Sequence, residues 1–284
     1  MVASRWNANL REILNWFADD SMTQNLGDLF LGLSLSDSTN IINIEESKST
    51  SNNDNEDTTE LPVPDVLPIL PLRGLVVYPQ TAVPLTIGQP RSIRLIDEVV
   101  SGNRIIGLVA SKDPELESPG PQDLYAVGTV AIIHRLFKTP DGTIRILIQG
   151  LSRFRIEEFV STEPYLVAKI TPTPEIENEN LEIEALARNA RDQFEHIAKM
   201  VPSIPRELVE SIAIISNPLQ TAYSIANFER MELADAQIIL ELDLVEEKLR
   251  KLVAILARER EVLDLGQKIQ NEARSEIEKV QRDY

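Results

Sequence analysis

The sequence predicts an α+β protein: a β-rich pseudo-barrel over residues 61–172, an α-helical bundle over residues 173–243 and a long helix over residues 244–284, all behind an acidic extension at 1–60. Three observations predict it. Apolar residues alternate with a period of 2 from about Leu61 to Thr171, which is the signature of half-buried strands. After Thr171 the period changes to about 3.6, the signature of helices packed on one face. Charge divides the chain at the same places: residues 1–60 carry −8, residues 61–171 are neutral and residues 172–284 carry −9.

Within the extension, Trp6, Leu10, Ile13, Leu14 and Phe17 recur at three- and four-residue steps and form one amphipathic helical face, read either as a loosely docked leader or as a partner-binding helix. Residues 47–60 (SKSTSNNDNEDTTE) have no large apolar side chain to offset the entropy of ordering, so a disordered linker is expected there. The β-rich part opens with residues 67–85 (LPILPLRGLVVYPQTAVPL), a proline-punctuated apolar stretch. Proline lacks the backbone donor, so short strands at a sheet edge are expected, including Leu75, Val76, Val77 and Tyr78. A helix follows over residues 90–102, with Pro90 in its first turn, Ile93, Ile96, Val99 and Val100 on one face and Gly102 at the C′ position. Residues 104–110 form a strand-length apolar run, residues 112–122 a proline-rich loop, and another strand begins near Tyr125.

A hairpin is the clearest local signal. Val130, Ile132, His134 and Leu136 are expected on one face of a strand, with Ile144, Ile146 and Ile148 alternating on the next; Thr139, Pro140, Asp141 and Gly142 supply the turn. Gly150 is expected to break the second strand, and residues 165–171 form a further one. Helices then take over: Leu181, Ala185, Phe194, Ile197 and Met200 share a register, a second helix spans 206–215 and Pro218 opens a third. From Leu244 the pattern lengthens. Val245, Leu249, Leu252, Leu256 and Leu263, then Ile269, Ile277 and Val280, predict about 40 helical residues, roughly 60 Å at 1.5 Å per residue, whose far half projects or needs a neighbour.

Composition excludes several classes of function. The chain has 45 acidic and 28 basic residues, net −17, a field that opposes phosphate backbones and anionic lipid, so neither nucleic acid nor membrane is an expected partner. No apolar run approaches the ~18 residues of a membrane span. With 43% hydrophobic residues in 284, ordinary cores for about two domains are available. Zero cysteines exclude disulfides, thiol nucleophiles and cysteine-bound metal, and fit a cytoplasmic location. The glycine spacings 27–32 and 102–107 mimic a phosphate loop, but Leu33 and Leu108 stand where lysine is required. His134 and His196 have no ligand cluster near them, and Glu157-Glu158 and Glu246-Glu247 read as solvated charge. No catalytic residue, metal or cofactor is expected.

Residues 67–85 resemble the opening strands of the N-terminal region of Lon, the ATP-dependent serine protease. The resemblance continues in order: residues 125–131 (YAVGTVA), 140–143 (PDGT) and 149–156 (QGLSRFRI) are similar to its central hairpin, Asn217-Pro218 and residues 219–227 to a helix of its bundle, and residues 258–284 to the long helix leading to its ATPase. It implies a PUA-like barrel, a bundle and a connecting helix that recognise unfolded, damaged or degron-bearing proteins and help a homohexamer assemble. The ATPase and the Ser-Lys protease domain would follow Tyr284, so the chain reads as a fragment of a Lon subunit or a truncated relative without catalysis of its own. A stand-alone Lon-like interaction module is the alternative. Two departures are the length of the acidic extension and Gly266 inside the long helix. Substrate capture is expected to use exposed apolar residues at Val77, Tyr78 and Pro79 and at the hairpin tip, Leu136 and Phe137; the competing reading is that they complete the core. Helix packing and assembly are expected at Leu249, Leu252, Leu256, Leu263, Ile269 and Ile277.

Overall fold

The structure is a computed structural model that describes residues 63–282 except 179, 203 and 230, with side chains described as far as residue 274. The amphipathic leader and the polar linker of the extension fall outside the described residues, as do the side chains of Ile277 and Val280.

Six strands, β1 (Val66–Leu72), β2 (Ala82–Ile87), β3 (Ile105–Ala110), β4 (Val127–Lys138), β5 (Ile144–Ser161) and β6 (Leu166–Pro172), lie in the order β2-β5-β4-β3-β1-β6, and β6 also pairs with β5. The last pairing closes five strands into a ring, with β2 added along β5. One long strand does this. The first half of β5 pairs β2 from Ala82↔Gln149 to Ile87↔Ile144, and its second half pairs β6 from Phe154↔Pro172 to Ser161↔Val167. Register shifts in the β4–β5 and β5–β6 ladders add the bend that closure requires.

β1 is not an edge strand. Its first half pairs antiparallel with β6, from Val66↔Lys169 to Ile69↔Leu166, and its second half parallel with β3, from Ile69↔Gly107 to Leu72↔Ala110. Each half therefore keeps one flank without a partner strand, which is where Pro68 and Pro71, lacking donors, are tolerated. Leu75, Val76, Val77 and Tyr78 are not a strand either. They run extended outside any ladder, and side-chain hydroxyls serve their carbonyls: Thr129 Oγ1 donates to Val77 O at 2.6 Å and Thr81 Oγ1 to Tyr78 O at 2.7 Å.

Gly150 lies within β5 rather than ending it. A Cβ there would stand 2.2 Å from Tyr78 O, so the glycine admits the crossing backbone, and Gln80 N donates to Gly150 O at 2.9 Å. The face expected of β4 also changes. Val130 belongs to one barrel core, whereas Ala131 and Ile133 join Ile144, Ile146 and Ile148 in the other; His134 is the extra residue at a bulge, and it is exposed. A period-2 reading carried through a bulge assigns the wrong face beyond it. The turn is as expected: Gly142 has φ +85°, and Asp141 Oδ1 accepts from Thr143 N at 3.1 Å and from Thr139 Oγ1.

Helix α1 (Pro90–Val100) covers one barrel core with Leu95, Ile96 and Val99. Beyond it the left-handed residue is Arg104, φ +60°, and not Gly102. The bundle comprises α2 (Leu181–Met200), α3 (Arg206–Ala213), α4 (Pro218–Phe228), α5 (Leu233–Glu241) and α6 (Val245–Arg282). Asn180 and Asn217 cap α2 and α4, accepting from Ile183 N at 2.7 Å and Gln220 N at 2.8 Å. The buried face of α2 is Ile183, Ala187, Ala190, Phe194 and Ile197; Leu181 and Ala185 are exposed, because the expected register was set from Leu181, which precedes the packed face.

α2 and α6 run parallel. Glu182 pairs with Arg250 and His196 with Asp264, each partner 68 residues further along the chain. At that offset the end of α2 stands beside Lys268, so the remaining 14 residues of α6 extend about 21 Å past it.

Candidate functional site

The barrel end of the molecule and its junction with the bundle hold the side chains that can act. The expectation that Val77, Tyr78 and Pro79 are exposed is corrected by the structure: all three are buried, Val77 in a barrel core and Tyr78 in the core of the bundle. The cause is the crossing at Gly150, which presses this segment under the helices. At the hairpin, β5 stays paired with β2 as far as Ile87↔Ile144, while β4 continues past the end of its ladder with β3 at Ile105↔Ile132. Leu136 is half-buried against Ile146's core, and Phe137 keeps 43% of its surface exposed. Lys138 makes an exposed ion pair with Asp97 of α1 at 2.8 Å. Of the five residues expected to meet substrate, only Leu136 and Phe137 therefore offer apolar area to solvent.

Of the assembly residues, Leu249, Leu252 and Leu256 are buried in the bundle core, and Leu263 is half-buried at its margin. Ile269 is 57% exposed and, with Val262 and Leu265, makes an apolar stripe at i, i+3 and i+7 along α6, in which Ile269 lies just past the end of α2.

The junction is polar and buried, and no local pattern announces it. Arg153 of β5, 1% exposed, reaches out of the barrel to the end of α5. Its Nη1 donates to Leu240 O at 2.8 Å, Glu241 O at 3.2 Å and Leu242 O at 3.0 Å, and its Nε pairs with Glu175 at 2.8 Å. Nη2 adds Asp243 at 3.1 Å. Lys248, the fourth residue of α6, is fully buried and donates to Ile239 O at 2.7 Å and Leu240 O at 3.1 Å, with its ammonium 5.0 Å from the ring centre of Tyr223. Tyr223 donates to Glu175 and stacks on Tyr78, ring centres 5.4 Å apart. Two cations and two carboxylates thus meet at the carbonyl end of a helix, the end that favours positive charge.

Burial, and next to it Arg153, pushes the Lys248 ammonium down to about 7, while burial pushes the hydroxyls of Tyr78 and Tyr223 far up. Sequence reading missed Arg153, Glu175, Tyr223 and Lys248. Their polar side-chain partners lie 22 to 90 residues away and the rest are main-chain carbonyls, so spacing carries no signal of them. The histidines take no part: His134 Nε2 lies 2.7 Å from Gln149 Oε1, and His196 lies 3.5 Å from Asp264. Among the described residues no group of three or more His, Cys, Asp or Glu could hold a metal ion, and no helix is long and apolar enough to cross a membrane.

Comparison with known proteins supplies what the geometry alone does not. Residues 66–258 match the family described as the ATP-dependent protease La (LON) substrate-binding domain. The chain is 44% identical over 227 residues to Lon protease 1 of Herpetosiphon aurantiacus and 44% identical over 222 residues to Lon protease of Dictyoglomus thermophilum; each alignment takes in 78% of this chain and 28% of the relative. The chain therefore spans little more than a quarter of the curated relatives it matches. Among solved structures, the N-terminal domain of Mycobacterium avium complex Lon protease superimposes with a TM-score of 0.55 at 21% identity, covering 68% of this chain and 98% of that one. At that identity the likeness speaks for the fold.

Proposed function

The chain belongs to the family of the Lon substrate-binding domain, and we propose that it captures unfolded, damaged or degron-bearing proteins for an ATP-dependent Lon protease assembled as a homohexamer in the cytoplasm. The observation that carries the reading is the match over residues 66–258, which lies in the substrate-binding region and not in the ATPase or protease domains. The hairpin tip is the proposed contact. Phe137 and Leu136 offer apolar area on paired strands, and an unfolded chain offers apolar side chains that a folded one keeps inside. Burying one such side chain contributes ~1.5–3 kcal/mol before ordering costs, so one copy binds weakly and linked copies gain by avidity. The exposed stripe of Val262, Leu265 and Ile269, which runs along α6 to the start of its overhang, supports a role for that helix in assembly.

Equilibrium titration of the chain with one protein in a permanently unfolded and a native form tests the proposal. The unfolded form is expected to bind and the native form not, with Phe137→Ser weakening binding roughly tenfold, a loss of about 1.4 kcal/mol. Equal binding of the two forms would overturn it.

A further inference from the structure

α5 touches both halves of the molecule by polar contacts that are distinct in kind and place. On the barrel side, Tyr78 donates to Ala236 O at 3.0 Å, Gln237 Nε2 donates to Val127 O at 3.0 Å, and Arg153 holds the carbonyls of Leu240, Glu241 and Leu242. On the α6 side, Lys248 holds the carbonyls of Ile239 and Leu240, and Lys251 pairs with Asp235 at 2.7 Å. Leu240 O is shared, so one carbonyl accepts from the barrel's arginine and from the long helix's lysine. The chain leaving the barrel is stitched to the same turn: Ile176 N donates to Asp243 O at 2.9 Å and Val245 N to Ile176 O at 3.3 Å.

We propose that α5 is the coupling strut of the molecule: a displacement of α6 reaches the barrel through the carbonyl end of α5, and releasing Arg153 from that end lets the barrel and α6 move independently. A guanidinium that is 1% exposed and bound to four carbonyls, those of Leu240, Glu241, Leu242 and Pro174, and two carboxylates resists letting go by degrees, because each lost acceptor leaves a buried donor or charge unpaired. The rest of the joint is balanced around it. Arg153 and Lys248 face Glu175 and Asp243, with the neutral Tyr78 and Tyr223 stacked alongside. Removing Arg153 takes the cation from Glu175 and leaves it the Tyr223 hydroxyl, whereas removing Lys248 leaves Leu240 O still held by the arginine. The two losses are therefore unequal.

The absence of native cysteine allows site-specific spin labels at Arg145→Cys on the barrel and Gln267→Cys on α6, both exposed. Electron–electron distance measurement on the full chain is expected to give one narrow distribution. Arg153→Met broadens it roughly two-fold or more, and Lys248→Met broadens it less. A folded Arg153→Met chain with unchanged width, or a Lys248→Met chain broader than it, overturns the proposal. Should Arg153→Met fail to fold, Asp243→Asn, altered at a 62% exposed side chain, carries the test by amide exchange. Exchange several-fold faster at Ile176, Leu242 and Val245 and unchanged in β4 supports the strut; unchanged or uniformly faster exchange refutes it.

Discussion

Lys248 is sealed from solvent, and its pKa is pushed down to about 7 from 10.5 in the unfolded chain. Between these values the unfolded chain holds a proton that the folded one does not, so this group's contribution is complete above pH 10.5 and is lost as pH falls toward 7. Tyr78 and Tyr223, raised in the fold, oppose it only above about pH 10, where they ionise in the unfolded chain. Urea midpoints from about pH 7 to 9 are thus expected to rise for the wild type by more than for Lys248→Met. Parallel profiles for the two would show that the lysine is not the titrating group. Gly150→Ala is the steric counterpart: its Cβ would meet Tyr78 O at 2.2 Å, backbone against backbone, and a loss of about 3 kcal/mol in urea unfolding is expected. An unchanged midpoint would mean that the crossing is not tight. Neither position was legible in the sequence. The glycine after alternating isoleucines reads as a strand end until the segment 73–81 is seen to cross it, and a lysine at the fourth place of a charged helix carries no sign of its burial.

At the scale of elements, α6 holds its sharpest contrast between halves. Leu249, Leu252 and Leu256 are buried, whereas Val262, Leu265 and Ile269 are exposed over the stretch that ends beyond α2. Gly266 lies in that second half with nothing within 4 Å of where a Cβ would be, so Gly266→Ala is expected to stabilise the helix by about 1 kcal/mol and to slow amide exchange around it. Faster exchange would show that the glycine's flexibility is used in packing. Helices and strands with strong periods were legible, as in α1, α4, the hairpin turn and the start of α6. Their faces were less so. The β4 alternation slips at the His134 bulge, and α2 exposes Leu181 in its capped first turn, because a bulge or a first residue set off the packed face shifts the phase without altering composition. The short α5 was not separated from the bundle: its nine residues begin with Leu233 and hold three buried side chains, too few to set a phase.

For the whole molecule, barrel and bundle share apolar cores. Val76, Tyr78, Ala110 and Val127 of the β-rich half lie in the same cluster as Phe194, Tyr223 and Leu252 of the helical half. The hairpin tip belongs to the barrel end of this continuous body and the overhang of α6 to its helical end. The family was legible from ordered motifs between residues 67 and 284, and of the five residues expected to meet substrate only two remain accessible. The central claim is that this barrel end receives unfolded protein. An amide-exchange footprint of the chain with and without saturating, permanently unfolded protein tests it most directly: slowed exchange is predicted at the tip, from Leu136 to Ile144, with the buried junction unchanged. Protection confined to α6, or none anywhere, would contradict it.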